Sequence, residues 1–230
     1  MQTSSISLRK NYLCQVNINK SVRKSHYAST QSFEYQSHYP MNRNLYIISG
    51  CNGAGKTTAS YTVLPEILEC REFVNADEIA RGLSPFNPDS MAIEAGRLML
   101  KRIDELLHRN ESFSIETTLA SKSYLNLVQR AQAKGYRVSI LFFWLRTPEL
   151  AIQRVAERVQ HGGHNIPEAV IRRRYVSGIK NLFSMFMPEV DYWVIYDNTE
   201  QPRKKVASGR KNMKTDIFFE ESYNKMLGYV

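Results

Sequence analysis

The sequence predicts an α/β protein with a parallel sheet covered by helices on both faces. Strand and helix signals alternate from Asn44 onward, which is typical of a sheet built by crossover connections. Residues 136–145 form a continuous apolar run, as expected for a strand buried on both faces. A glycine-rich loop separates the first strand from the first helix, at the sheet edge where such folds bind ligands.

Turn and capping residues set the limits of the predicted elements. The predicted strands are residues 45–48, 73–74, 112–116, 136–145 and 192–196. Helices are predicted at residues 57–68, 78–83, 123–134 and 148–160, with a further helix opened by Pro167. Asn87 and Pro88 predict an N-cap and first residue of one more helix. That helix is expected to bury a single stripe, formed by Ile93, Arg97, Leu100, Ile103 and Leu107.

Length and charge limit the domain organisation. The 230 residues suit one domain with tails. Of the net charge of +9, residues 1–40 hold five Lys or Arg against one acid, and residues 201–230 hold seven against three. We therefore expect a near-neutral domain at 41–200, a polar, basic and disordered extension at 1–40, and a basic, solvated tail at 201–230. Alternatively, Met41 is the natural start, or residues 1–40 are a transit peptide.

Apolar patterning and cysteine usage predict the cellular location. No apolar stretch approaches the roughly 20 residues of a spanning helix, so we expect no membrane segment. Residues 1–8 lack the features of a secretory signal. The three cysteines, Cys14, Cys51 and Cys70, follow neither a metal-binding spacing nor a disulfide pattern. A reducing cytoplasm fits this composition best.

The glycine-rich loop matches the complete phosphate-binding motif G-x-x-x-x-G-K-[ST]. The matching residues are Gly50, Cys51, Asn52, Gly53, Ala54, Gly55, Lys56 and Thr57. Glycines let backbone N–H groups surround phosphates, and the helix that follows directs its positive end at them. We expect Lys56 to reach the β- and γ-phosphates of ATP or GTP, and the Thr57 hydroxyl to hold Mg²⁺. Thr58, the next residue, is counted among the nucleotide-binding residues.

Other signatures narrow the class of P-loop protein. The chain carries no LSGG-type signature and no N-K-x-D motif, and its strand at 138–145 ends at Arg146 rather than at an Asp-Glu pair. A small phosphotransferase remains. Asp77 follows the second strand and is the predicted general base, while Glu116 ends the third strand and could orient acceptor hydroxyls or a magnesium-bound water. Each carboxylate could instead cap the following helix.

Arginines flank a second glycine-bearing loop. Arg154 and Arg158 are four residues apart and share a helix face, and three more arginines occupy positions 172–174 beyond the loop at 160–167. This pattern predicts a lid that closes on phosphates, with Arg158 as the leading phosphate ligand. A charge run can equally be a solvated face. His161 and His164 are interpreted as polar lid residues.

Several of these motifs together resemble the zeta toxin-like P-loop kinases. They are the run at 48–58, the segment at 75–80, Glu116-Thr117-Thr118 and the helix at 154–159. The resemblance covers about residues 43–200 and is closest to the short single-domain branch. It implies a three-layer, adenylate-kinase-like fold with about five parallel strands. It also implies transfer of the γ-phosphate of ATP or GTP, in better-known members onto the 3′-hydroxyl of UDP-N-acetylglucosamine.

Matched by motif, the resemblance implies that Asp77 is the catalytic base, Glu116 the substrate-contacting acid, Lys56 the phosphate lysine and Arg158 the first lid arginine. Cys51 stands where a proline is common. The second lid arginine has no clear counterpart, because His164 falls near its place, and Arg172 and Arg173 are the candidates to substitute for it. Asp197-Asn198 follows the last predicted strand, where related folds hold the nucleotide base.

The sequence therefore predicts a small-molecule kinase, as the toxin of a toxin–antitoxin pair with an antitoxin protein as partner. Two alternatives remain open. One is a kinase or ATPase that acts on nucleic acid or nucleotides through its basic tails, with binding that weakens steeply in salt. The other is a nucleotide-binding module without chemistry.

Overall fold

The computed structural model describes residues 43–66, 68–163 and 165–230, without the side chain of Thr62. The predictions for the extension at 1–40, for a start at Met41, for Cys14 and for His164 lie outside these residues. Within the described ranges, every helix is too short or too polar to span a bilayer.

In the described residues, seven strands form one sheet, in the order β2-β3-β1-β4-β5-β6-β7. Strands β1 to β5 are parallel to one another, and β6 and β7 are each antiparallel to their neighbours. The predicted α/β class with about five parallel strands is therefore confirmed, with two further strands at one edge. The strand limits are β1 Asn44–Gly50, β2 Glu72–Val74, β3 Phe113–Thr117, β4 Arg137–Trp144, β5 Tyr192–Asp197, β6 Lys204–Arg210 and β7 Asp216–Ile217.

Seven α-helices accompany the sheet in the described residues. They are α1 Lys56–Glu66, α2 Ala76–Leu83, α3 Ala92–Arg109, α4 Tyr124–Ala133, α5 Pro148–Gln160, α6 Glu168–Asn181 and α7 Glu220–Leu227. A 3₁₀ turn precedes α3 at Pro88–Met91, and a π-turn extends α6 at Leu182–Phe186. Pro148 opens α5 as predicted, because its fixed φ suits the first turn and the Thr147 hydroxyl accepts from the Leu150 N–H.

The centre of the core is formed by β1 and β4. Seven consecutive residues of β4, from Val138 to Trp144, are buried, so both faces of this strand are covered. In register, Ile47 of β1 lies between Ile115 of β3 and Ile140 of β4, and all three side chains are fully buried. Helices on both faces of a parallel sheet make three layers. The carboxyl ends of the parallel strands share one edge, where the P-loop begins at Gly50.

The C-terminal residues do not form the predicted solvated tail. They build β6, β7 and α7, and they bury Val206, Ala207 and Met226 in the core. Strand β6 was not predicted because it contains small residues and lacks a run of large apolar side chains. The small residues let the strand pack closely against its neighbours: a Cβ on Gly209 would lie 2.5 Å from the Trp193 ring. Part of the positive charge is also paired, since Lys211 meets Glu189 at 3.6 Å.

The buried face of α3 differs from the predicted stripe. Ile103 and Leu107 are buried as expected, but Ile93 and Leu100 are 76% and 61% exposed. The core side of the helix is completed by Ala95, Met99 and Leu106. The predicted N-cap was also wrong for an α-helix, because Asn87 precedes a 3₁₀ turn and makes no side-chain capping bond. After this turn, α3 begins at Ala92.

Candidate active site

The P-loop follows β1 in a conformation that its glycines permit. Gly50, Gly53 and Gly55 have φ of 138°, 79° and 78°, values that L side chains rarely adopt. A Cβ on Gly50 would lie 2.1 Å from the Phe143 carbonyl oxygen, and one on Gly55 would lie 2.6 Å from Asn198 Nδ2. The glycines therefore let β4 and the segment after β5 approach the loop closely. Thr58, in the first turn of α1, is exposed.

Lys56 and Glu116 form a buried ion pair beneath the loop. Lys56 is 6% exposed, and its ammonium donates to the Cys51 carbonyl at 2.9 Å and lies 3.7 Å from Glu116 Oε1. The other carboxylate oxygen, Oε2, accepts from the Thr57 hydroxyl at 2.8 Å and from Asn75 Nδ2 at 2.9 Å. Glu116 is thus tied to the P-loop and does not cap a helix.

Burial raises the pKa of Glu116, while the Lys56 charge and the Thr57 hydrogen bond oppose that rise. Nearby carboxylates, Asp77 and Glu78, raise the pKa further. Because the site is partly dehydrated, the charge of the Glu116 carboxylate interacts strongly with the Lys56 ammonium and with the charge of a neighbouring ligand.

Asp77 lies in the first turn of α2 without capping it. The cap is Asn75, whose Oδ1 accepts from the Asp77 N–H at 2.8 Å and from the Glu78 N–H at 3.4 Å. The helix begins at Ala76, two residues earlier than predicted. Because Asn75 takes the capping role, the exposed Asp77 carboxylate remains available to the cavity beside the P-loop.

A cavity of about 460 Å³ gathers the predicted catalytic groups. Lys56, Asp77 and Glu116 line it together with Asn52 of the P-loop. Its far side is made by α4 and α6, which contribute Tyr124, Arg173, Arg174 and Ser177 among others. The Tyr124 hydroxyl hydrogen-bonds Thr117, and burial raises its pKa, so it stays protonated at neutral pH. The arrangement offers three cationic side chains, two carboxylates and several hydroxyls to one bound molecule.

The arginines of the predicted lid separate into different environments. Consecutive residues of a helix point about 100° apart, so the three at 172–174 cannot share one role. Arg172 pairs with Glu149 at 2.6 Å on the exposed surface, whereas Arg174 donates to Asn52 Oδ1 of the P-loop at 3.2 Å. Arg158 lies on an exposed face of α5, outside the residues that line the cavity. The sequence could not single out Arg174, because three arginines stand in a row.

Arg154 holds the segment after β5 instead of facing the cavity. Its guanidinium donates to the Asn198 carbonyl at 3.0 Å and to the Thr199 carbonyl at 2.8 Å. Asn198 in turn donates to the Ala54 carbonyl of the P-loop at 2.8 Å. Helix α5, the segment after β5 and the P-loop are therefore fastened together at the side of the loop away from Asp77.

The donor set fits a magnesium ion bound together with a nucleotide. The Thr57 hydroxyl and the Glu116 carboxylate are hard oxygen ligands, adjacent to where the loop would hold phosphates. In the described part of the chain, no cluster of three His, Cys, Asp or Glu could hold a metal alone. Mg²⁺ is usually bound through one or two protein oxygens plus phosphates and waters.

Comparison with protein families gives a match to one family. The model of the zeta toxin family matches residues 24–200, which is most of the chain. A curated protein of Haemophilus influenzae (strain ATCC 51907 / DSM 11121 / KW20 / Rd), itself uncharacterized, is 27% identical over 135 residues. That alignment covers 59% of this chain and 94% of the relative.

Solved structures with the same fold include two systems of interest. The PezAT chromosomal toxin–antitoxin system of Streptococcus pneumoniae gives a TM-score of 0.59 at 17% identity, covering 99% of this chain and 98% of that one. AvrRxo1-ORF1 in complex with AvrRxo1-ORF2, solved with ATP, gives a TM-score of 0.64 at 17% identity and 80% coverage of this chain. This chain spans 63% of the AvrRxo1 chain that it matches.

Proposed function

The chain belongs to the zeta toxin family of P-loop phosphotransferases, and we propose that it transfers the γ-phosphate of ATP or GTP to a hydroxyl of a small molecule. A UDP-N-acetyl sugar is the first acceptor to test, because better-known members of the family use one. The binding of ATP to the matched AvrRxo1 complex supports the same nucleotide here.

One observation carries this proposal: a carboxylate that is free to act as a base shares a cavity with the phosphate lysine. Asp77 is relieved of helix capping by Asn75, and it lines the same 460 Å³ cavity as Lys56. A phosphotransferase needs a base near the acceptor hydroxyl and cations near the transferred phosphoryl group. A plain nucleotide-binding module has no use for Asp77 at this position.

In the proposed reaction each residue has a separate task. The P-loop N–H groups and Lys56 hold the phosphates of the donor. Asp77 accepts the proton from the acceptor hydroxyl as that oxygen attacks the γ-phosphorus. The bond from the γ-phosphorus to the β,γ-bridging oxygen breaks at the same time, and the nucleoside diphosphate leaves with that oxygen. Arg174, bonded to Asn52, supplies a further positive charge beside the loop. Arg158 lies on the helix before the glycine-bearing loop and remains the candidate to join them when that segment closes.

Magnesium completes the donor site in this proposal. Thr57 would ligate the ion directly, and Glu116, hydrogen-bonded to Thr57, would hold the ion or one of its waters. Bound there, Mg²⁺ would neutralise charge on the β- and γ-phosphates.

The cytoplasmic location expected from the cysteines stays a prediction.

The proposal is tested with γ-labelled ATP or GTP, Mg²⁺ and a panel of acceptors: UDP-N-acetylglucosamine, other UDP-sugars, nucleosides and RNA ends. We expect label on one small-molecule acceptor. Asp77→Asn should lower the transfer rate by about 10²–10⁴-fold, the usual contribution of a general base, while ATP binding by calorimetry is kept. Transfer to none of the acceptors would sink the kinase proposal, and label on RNA alone would favour the nucleic-acid alternative.

We extend the proposal to toxicity and to an antitoxin partner, since the PezAT relative is a toxin–antitoxin system. Expression of the wild-type chain should arrest growth of the host, and the Asp77→Asn variant at the same level should not. Equal arrest by both proteins would separate toxicity from phosphoryl transfer.

A further inference from the structure

We propose that Asn75 is a positioning residue that joins the two halves of the active site. Its side-chain amide holds Glu116 on the P-loop side and the first turn of α2, with Asp77, on the other. This inference rests on the proposed phosphotransferase function and adds a residue to it. On sequence alone, Asn75 is only part of the segment 75–80.

Asn75 makes three hydrogen bonds while it is almost fully buried. It is 6% exposed and lies between β2 and α2 with φ −133° and ψ 120°. Its Oδ1 accepts from the Asp77 and Glu78 N–H groups at 2.8 and 3.4 Å, and its Nδ2 donates to Glu116 Oε2 at 2.9 Å. Both ends of one amide are thus engaged with groups that carry the site.

The hydrogen bonds continue from Asn75 into the P-loop. Glu116 Oε2 also accepts from the Thr57 hydroxyl at 2.8 Å, and Oε1 lies 3.7 Å from the Lys56 ammonium. A continuous path therefore runs from the nucleotide side, through Glu116 and Asn75, to the backbone of Asp77. Because both donors share Oε2, the carboxylate cannot rotate without losing one of them.

The position requires an acceptor and a donor on one short side chain. Aspartate caps a helix as well as asparagine does, but its ionised carboxylate has no hydrogen to donate. It would also place a negative charge against Glu116. Serine caps a helix, but it is too short to contact both α2 and Glu116. Asparagine alone meets both needs at these distances. A change to aspartate therefore keeps the helix cap and removes only the hydrogen bond to Glu116.

Positioning of this kind acts on the chemical step. A misplacement of about 1 Å can cost about 10²-fold in rate. The amides of the P-loop do not depend on Asn75, so nucleotide affinity should change much less. Asn75→Asp keeps the cap and removes the donor. We expect kcat for transfer from ATP to UDP-N-acetylglucosamine to fall by about 10–100-fold, with KM for ATP within about threefold.

A matched control and a double-mutant cycle separate this role from simple stability. Asn87→Asp makes the same chemical change at an exposed asparagine that has no side-chain capping bond, and should alter neither kcat nor the unfolding midpoint in urea. In the cycle, Asn75→Asp is combined with Glu116→Gln. If Asn75 acts through Glu116, the double variant should lose no more activity than Glu116→Gln alone.

The same cycle has a readout that needs no acceptor. The carboxylate of Asp at 75 can accept from the amide of Gln at 116, so the urea midpoint of the double variant should lie above the value expected from the two single changes. If Asn75→Asp does not fold, Asn75→Ser provides a second variant, because the serine hydroxyl can cap the helix but is too short to contact Glu116 as well. Additive midpoints, or an Asn75→Asp enzyme within about twofold of wild type, would overturn the assignment of Asn75. A wild-type protein that transfers no phosphate, with coupled midpoints, would overturn the kinase proposal and leave the positioning contact intact.

Discussion

At the residue scale, a change from glycine to alanine is expected to be harmful at one position and stabilising at another. Gly55→Ala places a methyl group 2.6 Å from Asn198 Nδ2 in a left-handed conformation, which costs about 1–2 kcal/mol before any clash. We expect ATP affinity to fall at least about tenfold, measured by calorimetry. The control is Gly82→Ala in α2, where the added Cβ meets nothing within 4 Å. It should stabilise the protein by about 0.5–1 kcal/mol in urea unfolding and leave ATP affinity unchanged. An equal loss of ATP affinity in the two variants would contradict this account.

The thiol of Cys51 should be unreactive in the folded protein. Burial raises its pKa to about 11, so the neutral thiol, which is a poor nucleophile, predominates near neutral pH. We expect iodoacetamide at about pH 8 to leave Cys51 unmodified until urea unfolds the chain, as judged by peptide mapping. Labelling of Cys51 at the unfolded rate in native buffer would show that the loop opens readily.

Much of the site could be predicted at this scale, because the P-loop motif and the strand ends fix which side chains meet at one edge. Lys56, Asp77 and Glu116 line one cavity, as their positions after β1, after β2 and near the end of β3 imply. The partner of each carboxylate was not predictable. That Asn75 caps α2 in place of Asp77 depends on the helix starting at Ala76, and a shift of two residues is within the uncertainty of sequence reading.

At the element scale, α6 tests the role of its arginines. Arg174→Ala removes the guanidinium that contacts Asn52 of the P-loop, whereas Arg172→Ala removes an exposed pair with Glu149. We expect kcat of transfer to fall by about 10–10³-fold for Arg174→Ala, in the range of other lost transition-state charges. Arg172→Ala, a neighbour on the same helix, should keep wild-type kcat because exposed ion pairs contribute little. A larger loss of kcat for Arg172→Ala than for Arg174→Ala would show that Arg174 is not the arginine that contacts the phosphates.

Elements could be predicted where large apolar side chains are buried. They could not be predicted where small residues are buried because a neighbouring strand packs closely against them. The apolar run that became β4 is unmistakable, and its limits agree within a residue. By contrast, β6 contains Lys204, Lys205 and Gly209, and only its residues 206–209 are buried. At Gly209 the Trp193 ring covers the space that a side chain would need. The phase of α3 failed for another reason: two apolar stripes compete on that helix, and only contacts with the sheet choose between them.

At the scale of the whole molecule, the residues after Glu200 should be essential for folding. The family match ends at residue 200, yet β6 pairs with β5 from Tyr192 to Asp197 and buries Val206. Burying each large apolar side chain contributes about 1.5–3 kcal/mol, and a domain is stable by only about 5–15 kcal/mol. We expect a chain truncated after Glu200 to lack a cooperative thermal transition in circular dichroism.

The control for this truncation is Lys225→Ala, which changes an exposed residue of α7 and should melt as the wild type does. A truncated chain that unfolds cooperatively and still binds ATP would place the domain boundary at residue 200.

The order of the strands also has a consequence for synthesis on the ribosome. β1 leaves the exit tunnel first, but its neighbours β3 and β4 come much later in the chain, at Phe113–Thr117 and Arg137–Trp144. Pairing distant segments must wait until both exist. Asn198, which fastens the segment after β5 to the P-loop at Ala54, emerges later still. A nascent chain therefore carries its phosphate-binding motif without a formed nucleotide site until β3, β4 and Asn198 have also been synthesised.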